Sequence, residues 1–386
     1  MKILIHHRIA SRDGQAVHLE ELSEALRGLG HEILMVGPAA ITESAYGGSS
    51  RLVDLLKRLL PAAAYEMLEV LYNVRAYTRL RQAIRDFRPD FVYERFSLYL
   101  LAGVWARSRL GVPVVLEVNS PLFEERLEHD GLAVRWMARL CQKHIWTHVD
   151  RVLPVTEVLA GYVRRYGVPD RKIAVIPNGI NPALFAAVPS QEQAKREGGY
   201  GDRLVLGFTG FVRRWHAMDR VIDFVAGPGK EFDLHLVIVG DGPAREELEA
   251  QALARGVSDR LTITGFVKHD EVAARMAAFD VALLPSINHF ASPLKLFEYM
   301  YLGLPTVAPD MDNIREILTA GHDALLFDPA AKDGLTEAIH RLCSDAALRR
   351  AIGAQARRTL DDKSLYWRTN AGRVAGLGAA ARAENG

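Results

Sequence analysis

Short apolar, β-branched runs alternate along the chain with longer segments whose apolar residues recur at helical spacing, the pattern of parallel sheets covered by helices on both faces. In the first half the runs are KILIHH (2–7), EILMVG (32–37), DFVYER (90–95), VPVVLEV (112–118), RVLPVT (151–156) and KIAVIP (172–177). The first helix follows Gln15, carries Leu19, Leu22, Ala25, Leu26 and Leu29 on one stripe, and stops at Gly30. In the second half the runs are RLVLGFTG (203–210), DLHLVIVG (233–240), RLTITGF (260–266), VALLP (281–285), PTVAP (305–309) and ALLF (324–327). The stretch VPSQEQAKREGGYGDR (188–203) is polar and aperiodic and reads as a linker. The expected fold is α/β: two Rossmann-like parallel-sheet domains, 1–187 and 204–362, facing a cleft, with a C-terminal helix over 363–386 that returns to the N-terminal domain. Ligands of such sheets bind outside the carboxyl ends of the strands.

With 386 residues the chain can bury two cores, and its net charge of +1 gives no bulk reason to expect nucleic acid as a partner. Cys141 and Cys343 stand far apart and outside any metal-ligand spacing, which argues against a disulfide framework or zinc site and suits a reducing cytoplasm. The start MKILIHHRIA lacks the apolar core of a signal peptide, and no apolar run reaches bilayer-spanning length. Basic residues collect between Arg51 and Arg88, among them Lys57, Arg58, Arg75, Arg79, Arg81 and Arg85, interleaved with leucines. Two readings stand: a surface that docks on anionic lipid at the inner face of a membrane, or a solvated face over a buried stripe.

The segment SPLKLFEYMYLGLPTVAPD (292–310) carries the most chemistry. Ser292 suits an N-cap and Pro293 the first helical position, which would leave the amides of Leu294, Lys295 and Leu296 unpaired at the helix end. Lys295 opposes the helix dipole there unless an anion sits beside it, so a phosphate explains its placement. Glu298 projects from the same face one turn deeper, where a carboxylate can accept hydrogen bonds from ribose hydroxyls. The alternative is an ordinary solvated Lys–Glu pair. Gly210, Arg213, Arg214 and His216 follow a strand in GFTGFVRRWH, a second candidate phosphate clamp or else a solvated basic loop. In GDGP (240–243), Asp241 and Gly242 form a tight strand-to-helix turn; Asp241 has two readings, a donor contact or merely a helix cap, and Phe266 and Val267 have two, flanking a base or packing.

In the first half, the loop 6–18 holds the single glycine Gly14 rather than G-x-G-x-x-G, which disfavours NAD. His18 stands near the helix start, and polar Glu117 and Asn119 end a deeply apolar strand, where polar groups face substrate. Asp310 and Asp312 form a D-x-D, a spacing common by chance in loops, and no metal and no cofactor are expected.

Taken together, DGQAVHLEELSEALRGLGHEILMVG, VIPNGINPALF, LVIVGDGPAREELE, LTITGFV and SPLKLFEYMYLGLPTVA resemble the family 4 glycosyltransferases, retaining sugar-nucleotide-dependent enzymes of the two-domain GT-B fold, nearly end to end. The resemblance implies that the N-terminal domain binds an acceptor and the C-terminal domain a nucleoside-diphosphate sugar. It places Glu298 at the ribose, the amides around Leu294 and Lys295 at the diphosphate with Ser292 and Pro293 opening their helix, and Arg213 as a phosphate ligand beside Trp215 and His216. Gly14, Gly210, Asp241, Gly242, Phe266 and Val267 complete the expected donor contacts, and His18, Glu117, Asn119, Arg213 and Lys295 the catalytic set. Two positions depart from the family: Phe290 stands where many members have a sugar-contacting glutamate, and Asn119 where many have a histidine. The implied setting is bacterial polysaccharide or glycoconjugate synthesis, with a sugar or lipid-linked glycan as acceptor. Rival functions are a nucleotide-sugar epimerase or sugar-phosphate synthase on the same fold, and a nucleotide-sugar-binding protein without catalysis.

Overall fold

A computed structural model describes residues 1–9, 14–38, 59–129 and 131–385. It divides into two compact units, Met1–Asn178 with Phe290–Ser292 and Trp367–Gly386, and Gly179–His289 with Pro293–Tyr366. In the first unit, β1 (Lys2–His6), β2 (Glu32–Val36), β3 (Phe91–Arg95), β4 (Val114–Val118) and β5 (Arg151–Pro154) form one sheet in the order β2-β1-β3-β4-β5. Every pairing is parallel. The inner strands β3 and β4 are buried at every position, so their apolar residues FVY and VVL run on without alternation, and the charged residues that follow, Glu94, Arg95 and Glu117, are buried as well.

The second unit holds β6 (Leu204–Thr209), β7 (Leu234–Val239), β8 (Leu261–Ile263), β9 (Val281–Leu283), β10 (Thr306–Pro309) and β11 (Leu325–Phe327), ordered β11-β10-β9-β6-β7-β8 and again parallel. Alternate residues separate into two cores, one on each face of this sheet: Val205, Val237, Val239 and Ala282 in one, Leu206, Phe208, Ile238 and Val281 in the other.

Four sequence expectations are corrected. KIAVIP is not a strand: the amides of Ala174 and Ile176 donate to the carbonyls of Val152 and Pro154, but Pro154 has no N–H to return a bond, and an isolated bridge at Ile173 results. The expected linker 188–203 contains the helix Gln191–Gly198, capped by Ser190, and buries Ala194 and Tyr200 in the second unit. Its eight residues, QEQAKREG, bury only Ala194, which leaves no apolar period to read. The chain changes unit at Asn178 rather than at 187, and the short piece Phe290–Ser292 belongs to the first unit. The last helix runs over Trp367–Asn385, not from 363, and buries Trp367, Ala371, Val374, Ala375, Gly378 and Ala381 as a stripe in the first unit, along the helix Gly14–Gly28. Among the described residues no helix is long and apolar enough to cross a membrane.

Candidate active site

In the first unit, parallel pairing sets Arg95 and Glu117 side by side at the carboxyl ends of β3 and β4. The helix Gly14–Gly28 adds His18. Its Nε2 lies 2.6 Å from Glu117 Oε1, and Arg95 Nη1 lies 3.1 Å from the same oxygen. Asn119 donates to that oxygen as well. Glu117 is 2% exposed, and its other oxygen has no hydrogen-bond partner among the described residues. Burial alone would raise this carboxyl, yet the charges of His18 and Arg95 and the bonds from His18 and Asn119 outweigh it and pull it down to about 2. The buried phenol of Tyr93 is raised well above its usual range, by burial first and then by the Glu117 charge. His18, Tyr93, Glu117, Pro177, Trp367 and Asn370 line a small cavity beside this network.

On its other side His18 Nδ1 meets Asn178 Oδ1 at 2.7 Å. Asn178 in turn donates its backbone N–H to Ser292 Oγ at 3.1 Å and its Nδ2 to the Ser292 carbonyl at 2.6 Å. This corrects the expected cap. Ser292 is occupied by Asn178, Pro293 takes the N-cap position without a side-chain bond, and the helix runs over Leu294–Tyr301. The Leu296 amide is used by the Pro293 carbonyl, so the open amides are those of Leu294 and Lys295.

In the second unit that helix grips the end of β6 twice on one face. The Tyr299 hydroxyl accepts from the Thr209 amide at 3.0 Å, and one turn earlier the Lys295 ammonium stands 3.7 Å from the centroid of Phe208. Gly210 has φ of +122°, so its backbone favours glycine, and Lys295 Nζ lies 3.3 Å from where a Cβ would stand. Burial lowers Lys295 to about 7, with the Glu298 carboxylate pulling the other way. His216 is pushed down to about 2 by burial, then by Lys295 and Arg213. Neutral, its Nδ1 accepts the Arg213 amide at 2.9 Å, and its ring stacks 3.8 Å from Trp215. The Arg213 side chain is exposed, its guanidinium 5.1 Å from the Phe211 ring, whereas Arg214 is tied to Glu247.

The remaining expected residues are less uniform. Asp241 does not cap a helix: its Oδ1 accepts from the Gly242 amide at 2.9 Å, and the following helix begins only at Arg245. A Cβ at Gly242 would sit 2.1 Å from the Val212 carbonyl, so this glycine lets two strand-end loops touch. Phe266 is exposed, and Val267 packs partly into the second unit's core. Gly14 opens its helix, behind residues 10–13, which lie outside the described residues, as do Arg51, Lys57 and Arg58 of the basic segment. Asp310 is held by Arg315 through two bonds of 2.5 and 2.7 Å, and no group of three or more His, Cys, Asp and Glu that could hold a metal occurs among the described residues. Phe290 is buried in the first unit's core, and its carbonyl accepts from Thr156 Oγ1 at 2.9 Å. Sequence reasoning missed Arg95, Tyr299 and Asn178. For Asn178 a signal existed, a polar residue between Pro177 and Gly179 in an apolar stretch.

Residues 13–179 match the family described as Glycosyl transferase 4-like domain, and residues 189–359 match Glycosyl transferases group 1. The chain is similar to a 2-deoxystreptamine glucosyltransferase of Streptomyces kanamyceticus, 30% identical over 358 residues, 86% of this chain and 90% of that one. It is similar also to a GDP-mannose-dependent alpha-mannosyltransferase of Mycolicibacterium smegmatis, 26% identical over 340 residues, 87% of this chain and 85% of that one. Among solved structures, HepE of Anabaena in complex with UDP matches with a TM-score of 0.77 at 18% identity, over 98% of this chain and 100% of that one. WaaG, a glycosyltransferase involved in lipopolysaccharide biosynthesis, matches with a TM-score of 0.71 at 16% identity, over 97% and 100%. At these identities the two structures speak for the fold, and the sequence matches for the family. With both halves matched and a relative at 30% identity aligned over most of its length, the chain belongs to the family 4-type glycosyltransferases and is a glycosyltransferase of the GT-B fold.

Proposed function

We propose that the enzyme takes its sugar from a nucleoside-diphosphate sugar bound by the second unit and passes it, with retention of anomeric configuration, to a hydroxyl of an acceptor bound by the first. The observation that carries the donor half is the Lys295 ammonium, held on the Phe208 ring at the open end of the helix Leu294–Tyr301 and beside the glycine backbone at Gly210. A cation kept in place at two open amides is ready for charge that grows on a departing diphosphate. Arg213 supplies a second positive group, and Glu298 accepts from the ribose. That HepE was solved with UDP and with UDP-glucose supports the donor class. In the first unit, His18, Glu117 and Asn119 orient the acceptor, with the unpaired Glu117 oxygen as an acceptor of hydrogen bonds. Relatives named for glucosyl, N-acetylglucosaminyl and mannosyl transfer support a hexose-type sugar.

The test is calorimetric binding of UDP, GDP, ADP and NAD to the wild type and to Glu298→Ala. One nucleoside diphosphate is expected to bind and to be lost in the variant. Equal binding by both would sink the ribose assignment, and an inverted product anomer would sink retention.

We infer further that the first unit touches an anionic lipid surface, and a sorting of charge supports this. On the helix Ala62–Phe87 two of the three acids turn inward: Glu66 accepts from the amides of Ala133 and Val134 at 2.7 and 3.0 Å, and Glu69 pairs with Arg126 at 3.0 Å, while Asp86 near the helix end is exposed. Met67, Leu68, Leu71 and Val74 face out together with Arg75 and Arg79. The helix Arg135–Thr147 likewise exposes Trp136 and Leu140 beside Arg135, Arg139 and Lys143. Co-sedimentation with phosphatidylglycerol vesicles but not phosphatidylcholine vesicles is expected, with loss in Trp136→Asp; no difference between the two lipids would refute it.

A further inference from the structure

We propose that Asn178 is a positioning residue for sugar transfer: its carboxamide couples His18 to the Phe290–Ser292 turn, the piece of chain that leads directly into the helix bearing Lys295 and Glu298. The proposal rests on the donor site assigned above. It starts from the orientation of one amide. The Ser292 carbonyl can only accept, so the group 2.6 Å from it must be the Asn178 NH2, and the Asn178 oxygen is thereby turned to His18. His18 then stands between two acceptors, Asn178 Oδ1 at 2.7 Å and Glu117 Oε1 at 2.6 Å. Both bonds exist together only if both ring nitrogens carry protons. The imidazolium so formed faces the Glu117 carboxylate from β4, Arg95 and the neutral phenol of Tyr93 from β3, and, ring centroids 4.7 Å apart and planes nearly perpendicular, Trp367 from the last helix, with Glu21 one turn along its own helix.

The turn is held at both ends by these neighbours. Asn178 binds Ser292 through two atoms and Thr156 binds the Phe290 carbonyl, while Asn370 fixes the preceding Pro177 carbonyl at 2.7 Å. Asn178 is 6% exposed, so water does not replace a lost partner cheaply. Ser292 is covalently followed by Pro293, which opens the Lys295 helix. A rotation of the carboxamide releases the Ser292 carbonyl and with it the path of the chain into the donor cradle. Asn178 touches neither substrate in this scheme and acts through Ser292.

The experiment compares Asn178→Asp, His18→Gln, their double variant and Ser292→Ala in the full-length enzyme, with Glu298→Ala as control, measuring kcat, KM for each substrate, UDP or GDP affinity and melting temperature. Aspartate still accepts from His18 but cannot donate to the Ser292 carbonyl, so donor affinity is expected to fall roughly tenfold while acceptor KM is unchanged. The double variant is expected to be no worse than the poorer single one, because the two residues act in one chain. Ser292→Ala, which removes one of the two bonds, gives the same donor-specific change at smaller size and serves if Asn178→Asp fails to fold. Wild-type donor KM in Asn178→Asp, loss of stability without change in the kinetics of folded enzyme, or additive single effects would each overturn the proposal. If Glu298→Ala also kept full donor affinity, the donor-site assignment itself would fall, and this proposal with it.

Discussion

The two strand-end charge clusters of this enzyme are built on opposite principles. In the first unit, Glu117 is surrounded by donors: His18, Arg95 and Asn119 converge on one of its oxygens, so the cations of this cluster have a buried carboxylate beside them. In the second unit, Lys295, Arg213 and the open amides of one helix present positive charge, and the histidine among them is held neutral by burial and by those same cations. The first arrangement keeps its shape without a ligand. In the second, burial disfavours the charged Lys295, and in the proposed donor role the diphosphate would offset that cost, so that binding energy is directed at charge that grows in the transition state.

The comparison predicts stability changes of opposite sign. Glu117→Leu leaves His18 and Arg95 buried without their partner and should cost about 3–5 kcal/mol in urea or thermal unfolding. Lys295→Met removes a buried charge while keeping an apolar stem, so the unliganded enzyme should be as stable as the wild type or more so, while turnover falls about 10²–10³-fold. If Lys295→Met were the destabilised variant and Glu117→Leu the silent one, the contrast would be reversed. Acid titration sharpens it. The Glu117 carboxyl lies at about 2 when folded against 4.5 ordinarily, so its contribution is complete above 4.5 and is lost as pH falls toward 2. Glu117→Leu should lack that part of the acid limb.

The next effect is smaller and is a proton count. Lys295 is lowered from 10.5 to about 7 in the folded enzyme, so between those values the unfolded chain holds more protons, and the stability of the unliganded enzyme declines as pH drops from 10.5 to 7. A bound diphosphate restores the charged form. Near neutral pH, nucleotide binding should therefore take up a fraction of a proton, about one at most, seen by calorimetry in buffers of different ionisation enthalpy. Lys295→Met should abolish the uptake; uptake that persisted in the variant would assign the proton elsewhere.

The same contrast explains what the sequence disclosed. Strand existence was legible wherever a run was buried on both faces, as in VVLEV of β4 or LHLVIV of β7, because burial and hydrophobicity coincide there. KIAVIP looked identical and failed, since what decides a ladder is the partner's N–H, and Pro154 has none. Lys295 and Glu298 could be singled out because their chemistry is local to one helix turn. Asn178 and Arg95 could not, because their partners lie 160 and 22 residues away and only sheet register and chain return bring them together. Ser292 failed for a related reason: serine before proline is a good local cap, but the distant Asn178 took both its oxygens, the hydroxyl through its backbone N–H and the carbonyl through its carboxamide.

The smallest effect separates two adjacent arginines. Arg214 is exposed and satisfied by Glu247, and an exposed pair of this kind contributes about 0–1 kcal/mol. Arg213 has its amide fixed by the buried His216 while its guanidinium projects past Phe211. The buried His216 ring therefore fixes the backbone from which the Arg213 side chain projects. Arg213→Ala should weaken nucleoside diphosphate binding roughly tenfold, the scale of a charge-assisted hydrogen bond, with little change in melting temperature. Arg214→Ala should leave binding within twofold, roughly, of wild type. His216→Phe preserves ring volume but removes the acceptor for the Arg213 amide, and it should reproduce part of the Arg213→Ala loss. If Arg214→Ala proved the weaker binder, the phosphate contact would belong to that side chain, and Glu247 would be the group that releases it.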